Sequence, residues 1–215
     1  MFKTSVRNNI INFNLSSKVM AKGKSDLILR DRLQFTLDSS GDLPVVYGRI
    51  DLSDYVSIVN NEGLAVKEMR IMVRDPSNTN TGTFFPDLIK GTGPAGGVDA
   101  ASMTVFGSTT AYESAVDVGI GSPNVFFQAE FNTFSGKETG ASAPSFTNND
   151  YYQLGTPDLH PAGYVVVSDI LVGIAARGAT AYADDTLEID VMLIAEPVKV
   201  NKDELKDMLA QATDL

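Results

Sequence analysis

Gly91, Gly93 and Gly96 spell G-x-G-x-x-G, the spacing with which a glycine-rich turn lays backbone N–H groups against a pyrophosphate. That chemistry needs a strand before the turn and a helix opening after it, so that the helix dipole faces the anion. Pro94 interrupts this turn, Gly97 follows it, and no helical periodicity begins downstream. The Gly-Lys-Ser/Thr ending of a P-loop is missing too, so neither dinucleotide nor phosphate binding is expected.

His160 is the single histidine, set in Asp158-Leu159-His160-Pro161. A catalytic base needs a nucleophile on one side and an orienting group on the other. Asp158 has the chemistry to orient it, but no Gly-x-Ser-x-Gly elbow supplies a serine. One histidine cannot make a two-histidine metal site within a chain. The absence of cysteine excludes thiol nucleophiles, cysteine-ligated zinc and disulfide scaffolds.

Carboxylates remain. Asp184-Asp185, Asp51 with Asp54, and Glu130 are candidates for the acid and base of glycoside hydrolysis, which holds two carboxyls roughly 5–10 Å apart. Such sites also use aromatic platforms for sugar rings, and this chain has no Trp. Asn148-Asn149-Asp150 and Asp184-Asp185 offer the oxygen ligands that Ca²⁺ takes, without the spacing of an EF-hand loop. Solvated turns are the expectation for both. No catalytic residue, metal ligand or cofactor is assigned, and the chain is not expected to be an enzyme.

The chain is long enough to fold without staples. Its 215 residues are 43% apolar and 20% charged, enough for one large domain or two small ones. No apolar run approaches the roughly 20 residues of a membrane span. The longest, 164–176, is broken by Ser168, Asp169 and Gly173. No apolar segment follows Lys3 and Arg7 at the N-terminus, so a cleaved signal peptide is not expected.

Charge divides the chain. Residues 1–32 hold seven basic residues, Lys3, Arg7, Lys18, Lys22, Lys24, Arg30 and Arg32, against Asp26 and Asp31. Residues 75–198 hold Lys90, Lys137 and Arg177 against 15 acids, and the net charge is −10. The basic residues are candidate contacts to nucleic acid or to an acidic neighbouring subunit; a solvated terminus is the plain alternative. Ile10, Ile11 and Phe13 make an apolar patch within this segment, suited to an added strand on a partner or on the chain's own body.

Alternation marks the body. Leu33, Phe35 and Leu37 are spaced by Gln34 and Thr36, and Ile50 and Leu52 by Asp51. Met69, Ile71 and Val73 recur before Asp75-Pro76, and Leu187, Ile189, Val191 and Leu193 recur before Glu196-Pro197. Period two is the mark of half-buried strands. Tyr164–Val167 and Ile170–Val172 add an apolar strand region. From Gly82 to Phe146 the texture is Gly, Ser, Thr and Ala, which predicts long loops with two or three short strands. Phe84, Phe85, Phe126, Phe127, Phe131, Phe134, Phe146, Tyr151 and Tyr152 fall in or beside that stretch, either as an exposed interaction surface or as a satellite core.

The predicted architecture is all-β, a β-sandwich or jelly roll of about eight strands with long loops. It divides into a basic N-terminal arm (1–32), the β-sandwich body (33–200, with the glycine-rich loops at 82–146) and a C-terminal helix (201–215). Asn201 is the expected N-cap, with Glu204 three residues on. Leu205, Met208, Leu209 and Ala212 form one apolar stripe, to dock on the chain's own sheet or on a neighbour.

The arm from Lys3 to Arg32, the alternating strands and the loops between Gly82 and Phe146 together resemble jelly-roll capsid proteins of small icosahedral viruses. The resemblance is one of architecture over the whole chain, and it implies a virion subunit that self-assembles in many copies with no membrane span. The arm and terminal helix would then reach across subunit boundaries, with Ile10, Ile11, Phe13, Leu205, Met208 and Leu209 as subunit-contact candidates. Other virion proteins are further candidate partners. A β-sandwich binding module for carbohydrate or a receptor is the alternative, and a carboxylate-pair glycosidase the third.

Overall fold

The structure, a computed structural model, describes residues 26–89, 98–136, 145–154 and 163–213. Among these residues nine strands and one α-helix follow in chain order: β1 (Leu27–Thr36), β2 (Leu43–Ile50), β3 (Glu62–Arg74), β4 (Val98–Ser108), β5 (Val125–Gly136), β6 (Ser145–Gln153), β7 (Tyr164–Val166), β8 (Ile170–Arg177), β9 (Thr186–Lys199) and α1 (Lys202–Thr213). They form a four-stranded sheet, β1-β9-β3-β7, and a five-stranded sheet, β2-β8-β4-β5-β6.

The pairings are nested. β1 pairs with β9, β2 with β8, β3 with β7 and β4 with β5, all antiparallel. The chain therefore behaves as one long ribbon, its first half laid against its second half in reverse and then rolled into two layers. This is the eight-stranded jelly roll, with β6 added on the free side of β5.

Alternation places the core between the layers. In β9, Leu187, Ile189, Val191, Leu193 and Ala195 are buried while the residues between them face out. Opposite them lie Met103, Val105, Phe127, Ala129, Phe131, Val172 and Ile174 from the other sheet. A second apolar cluster, Phe106, Val118 and Val125 with Tyr47, Tyr112 and Leu154, covers part of the outer face of the five-stranded sheet. Phe106 fits there because Gly173 lies beneath it: a Cβ at that position would stand 2.2 Å from its ring. The turn from β1 into β2 uses Gly41 at φ 74°, pressed against the backbone of Ala179.

The structure corrects four expectations. Residues 27–32, grouped by charge with the arm, are the first half of β1. The stretch from Gly82 to Phe146 holds two full strands of 11 and 12 residues rather than short ones. They escaped the pattern because their inward positions mix small with large residues: Ala101, Met103, Val105 and Gly107 in β4, and Phe127, Ala129, Phe131 and Thr133 in β5. Asn148-Asn149-Asp150 is mid-strand in β6, not a turn. β9 continues past Glu196 through Pro197, beyond the last β1 pairing at Ala195, where β9 has only β3 beside it and a missing N–H is tolerated.

The helix docks on its own chain. Asn201 Oδ1 accepts from the N–H groups of Asp203 (3.0 Å) and Glu204 (2.8 Å), capping α1 as expected. Leu205 is buried against Val167 and Val200, with Met208 and Leu209 half-buried beside it.

Candidate functional site

Sequence candidates fall into three groups. Lys3, Arg7, Ile10, Ile11, Phe13, Lys18, Lys22 and Lys24 lie outside the described residues, as do Gly91, Gly93, Gly96, Asp158 and His160. A second group is used for structure. Asp184 and Asp185 make the turn into β9: Asp184 N–H donates to the Asp38 carbonyl (3.0 Å) and Leu37 N–H to the Asp185 carbonyl (3.0 Å for the first, 3.1 Å for the second). Asp51 accepts from Ser53 N–H (2.9 Å), and that backbone bond holds its carboxyl below the usual carboxylate range.

Arg30 and Arg32 project from the outer face of the four-stranded sheet. Arg32 Nε donates to Asp190 at 2.5 Å and its Nη2 to the other Asp190 oxygen at 3.2 Å, with Glu188 at 3.7 Å. The Asp190 hydrogen bond and charge push the guanidinium pKa further up. Arg32 thus serves its own sheet, while Arg30 stands exposed opposite Met192. Leu205 is likewise committed inside the chain.

The third group comes together on one surface. β5 and β6 pair in regular register, and three successive outward pairs meet like with like: Phe134 opposite Phe146, Asn132 opposite Asn148, and Glu130 opposite Asp150. Gln128 Nε2 donates to Glu130 (2.6 Å) and Asn148 Nδ2 to Asp150 (2.6 Å). Glu130 and Asn148-Asn149-Asp150 were candidates for unrelated chemistries; the register makes them neighbours. Phe146 is 66% exposed, Tyr151 55%, Phe134 48% and Tyr152 37%.

The aromatics of the glycine-rich stretch therefore divide. Phe126, Phe127 and Phe131 are core, and Phe84 packs edge-on against Phe131 and stacks on Tyr182. Phe85, Phe134, Phe146 and Tyr152 face solvent, whereas Tyr151, opposite Ala129 on the inward side of β6, packs edge-on against Phe131.

One residue that joins this surface to the body carries no sequence signal of its own. Gln153, at the end of β6, accepts from Met69 N–H (3.2 Å) and returns a bond to the Met69 carbonyl. β7 pairs with β3 only over Leu64–Val66, so beyond its end a side-chain amide stands in for the next peptide group. Tyr47 does similar work at Tyr112, donating its hydroxyl to the carbonyl (2.8 Å) and accepting from the N–H (2.5 Å); burial pushes its pKa up. A cavity of about 40 Å³ lies between β7 and α1, lined by Tyr164, Val166, Ser168 and Met208, room for water and far below a ligand pocket.

No protein-family model matches the chain, and the search of curated proteins finds no match. Among solved structures, one of desmodium yellow mottle tymovirus is similar at 10% identity, covering 88% of this chain and 99% of that one, with a TM-score of 0.27. The 60-mer BFDV capsid protein is similar at 12% identity, covering 82% and 94%, with a TM-score of 0.28. The jelly-roll assignment rests on the strand pairing described above. Among the described residues no helix is long and apolar enough to cross a membrane.

Proposed function

We propose that this chain is a structural, non-enzymatic subunit that self-assembles in many copies into a shell, as a virion coat protein does. One observation carries the reading: the charge is divided at the point where the jelly roll begins. Ahead of β1, residues 1–25 hold five basic side chains and no acid, while residues 75–198 carry 15 acids against three bases. A basic segment joined to an acidic body is complementary to the body of another copy, which favours association between copies over collapse of like surfaces. The fold supplies the rest, since jelly rolls are a common body of viral shells and also of lectins.

Leu205 is occupied within its own chain, so contact between copies is assigned to the arm and to the body's surface. Removing residues 1–25, which stops short of β1, should leave a folded protein with an unchanged far-ultraviolet spectrum that no longer forms large particles. Light scattering after size exclusion and negative-stain microscopy read the outcome, and the 260/280 nm absorbance ratio reports any nucleic acid held by the arm. Unchanged particle yield after the deletion, or a full-length chain that stays a 23.0 kDa monomer across salt and pH, overturns the proposal. Glycan binding by such a monomer would put the carbohydrate-binding alternative in its place.

A further inference from the structure

An open sheet has edges, and an edge is a row of unpaired N–H and C=O groups ready to pair with another chain unless something blunts it. Among the described residues this sandwich has four: β1 and β7 on one sheet, β2 and β6 on the other. Three carry a blunting device. β1 has Arg30-Asp31-Arg32 at its middle, β2 has Pro44 and an irregularity between Leu43 and Val46, and β7 is three residues long. β6 has none. It runs nine residues, Ser145 to Gln153, without Pro, Lys, Arg or a bulge, and Asp150 is its one charge.

The free edge of β6 also fits itself. Leu154, next after the strand, donates its N–H to the Phe126 carbonyl at 2.9 Å. Antiparallel partners alternate between hydrogen-bonded and non-hydrogen-bonded pairs, so the even-numbered residues of β6 direct their backbone groups at β5. Thr147, Asn149, Tyr151 and Gln153 direct theirs outward. A second β6 laid antiparallel must match odd with odd. Centring the pair on residue 150 sets Asp150 against Asp150, and centring it on residue 148 sets Asp150 against Phe146. Centring it on Asn149 sets Asp150 against Asn148 twice and Phe146 against Tyr152 twice. That register meets the free backbone groups, sets each carboxylate against a second amide besides its own Asn148 and packs Phe146 on Tyr152.

We propose that β6 pairs antiparallel with β6 of a second copy about a two-fold axis through Asn149, joining the two five-stranded sheets into one. An isologous contact of this kind needs a self-complementary surface, and the order Phe-x-Asn-x-Asp-x-Tyr, from Phe146 to Tyr152, supplies it. The contact names one partner surface of the assembly proposed above and rests on that reading for its place in a shell.

Because the full chain has no cysteine, single-cysteine variants test the register directly. In this register residues 148 and 150 of the two copies face each other at about 4.5 Å between Cα atoms. Residue 148 lies roughly 7–8 Å from its own counterpart, as does 150, beyond comfortable disulfide reach. Mixing Asn148→Cys with Asp150→Cys under mild oxidation should therefore give a disulfide-linked dimer in about tenfold greater yield than either variant alone. No linked dimer in the mixture, or equal yields in all three samples, overturns the contact. Asn149→Pro removes an edge N–H that β5 does not use, so it should abolish dimerisation in sedimentation equilibrium while leaving the far-ultraviolet spectrum intact; dimerisation as in the parent also overturns it. Particles formed by the oxidised cysteine mixture with no linked dimer in them sink the contact and keep the shell. Linked dimers that never form particles keep the contact and sink the shell.

Discussion

The β1–β9 ladder and the β5–β6 ladder are both antiparallel, both regular and both turn one face to solvent, yet they finish that face by opposite rules. Across β1 and β9 the outward polar groups that meet bond each other: Arg32 with Asp190, Gln34 Nε2 donating to Glu188 at 2.8 Å, and the hydroxyls of Thr36 and Thr186 at 2.8 Å. Across β5 and β6 like groups meet, Phe with Phe, Asn with Asn, Glu with Asp. The first ladder pairs its outward polar groups within the chain, Arg30 opposite Met192 excepted. The second leaves aromatic surface exposed and two carboxylates side by side, an arrangement that a further strand or chain improves. Cross-strand complementarity thus marks where this molecule is complete and where it is poised for a partner.

The sharpest test of that division is a pair of matched truncations on the second ladder. Phe131→Ala opens a cavity between the sheets and should lower unfolding free energy by about 3–5 kcal/mol. Phe146→Ala removes exposed surface and should change it by about 0.5 kcal/mol or less. Denaturant melts of the two variants at a concentration where the parent is monomeric check both values; equal losses would mean that Phe146 is core.

A middle-sized effect belongs to the joint between β6 and the body. Gln153→Ala strips both Met69 backbone groups of their partner, which should cost about 1–3 kcal/mol. Hydrogen exchange at the Met69 amide should rise in that variant more than at Ile71 or Val73. An unchanged rate would show that β6 is held by its β5 pairing alone.

The smallest effects carry opposite signs. Arg32→Ala breaks a partly exposed ion pair and should destabilise by about 0–1 kcal/mol. Glu130→Gln keeps an acceptor for Gln128 while removing one of two facing charges, and should stabilise by about 0.2–1 kcal/mol. Both shifts should shrink in high salt. If the two substitutions move stability in the same direction, the contrast between the ladders fails.

Much of the fold was legible as alternation. Leu187 to Leu193 and Met69 to Val73 read correctly because each strand packs one face on a thick core and turns the other to water. Asn201 was legible as a cap because its side chain acts on backbone groups two and three residues away. β4 and β5 were not, since Ala, Gly and Thr at inward positions look like loop until neighbours such as Met69 and Phe126, which close over Gly107, fill the space they leave. Asn148-Asn149-Asp150 suggested a turn by residue type, and pairing with β5 overrode that local preference. Gln153 looked like any surface glutamine: its role exists because β7 stops short on β3, a fact of another part of the chain.

The sequence by itself determined the all-β class, the acidic body behind a basic leading segment and the position of the terminal helix. These are local or additive properties: period-two burial, net charge and a cap within one turn. Only the tertiary structure decided that Glu130 faces Asp150, that Leu205 is covered by Val167 and Val200, and that β6 is the edge without a guard. Each depends on how elements pair and pack in space, and in the β5–β6 ladder a shift of one residue would turn every side chain to the other face.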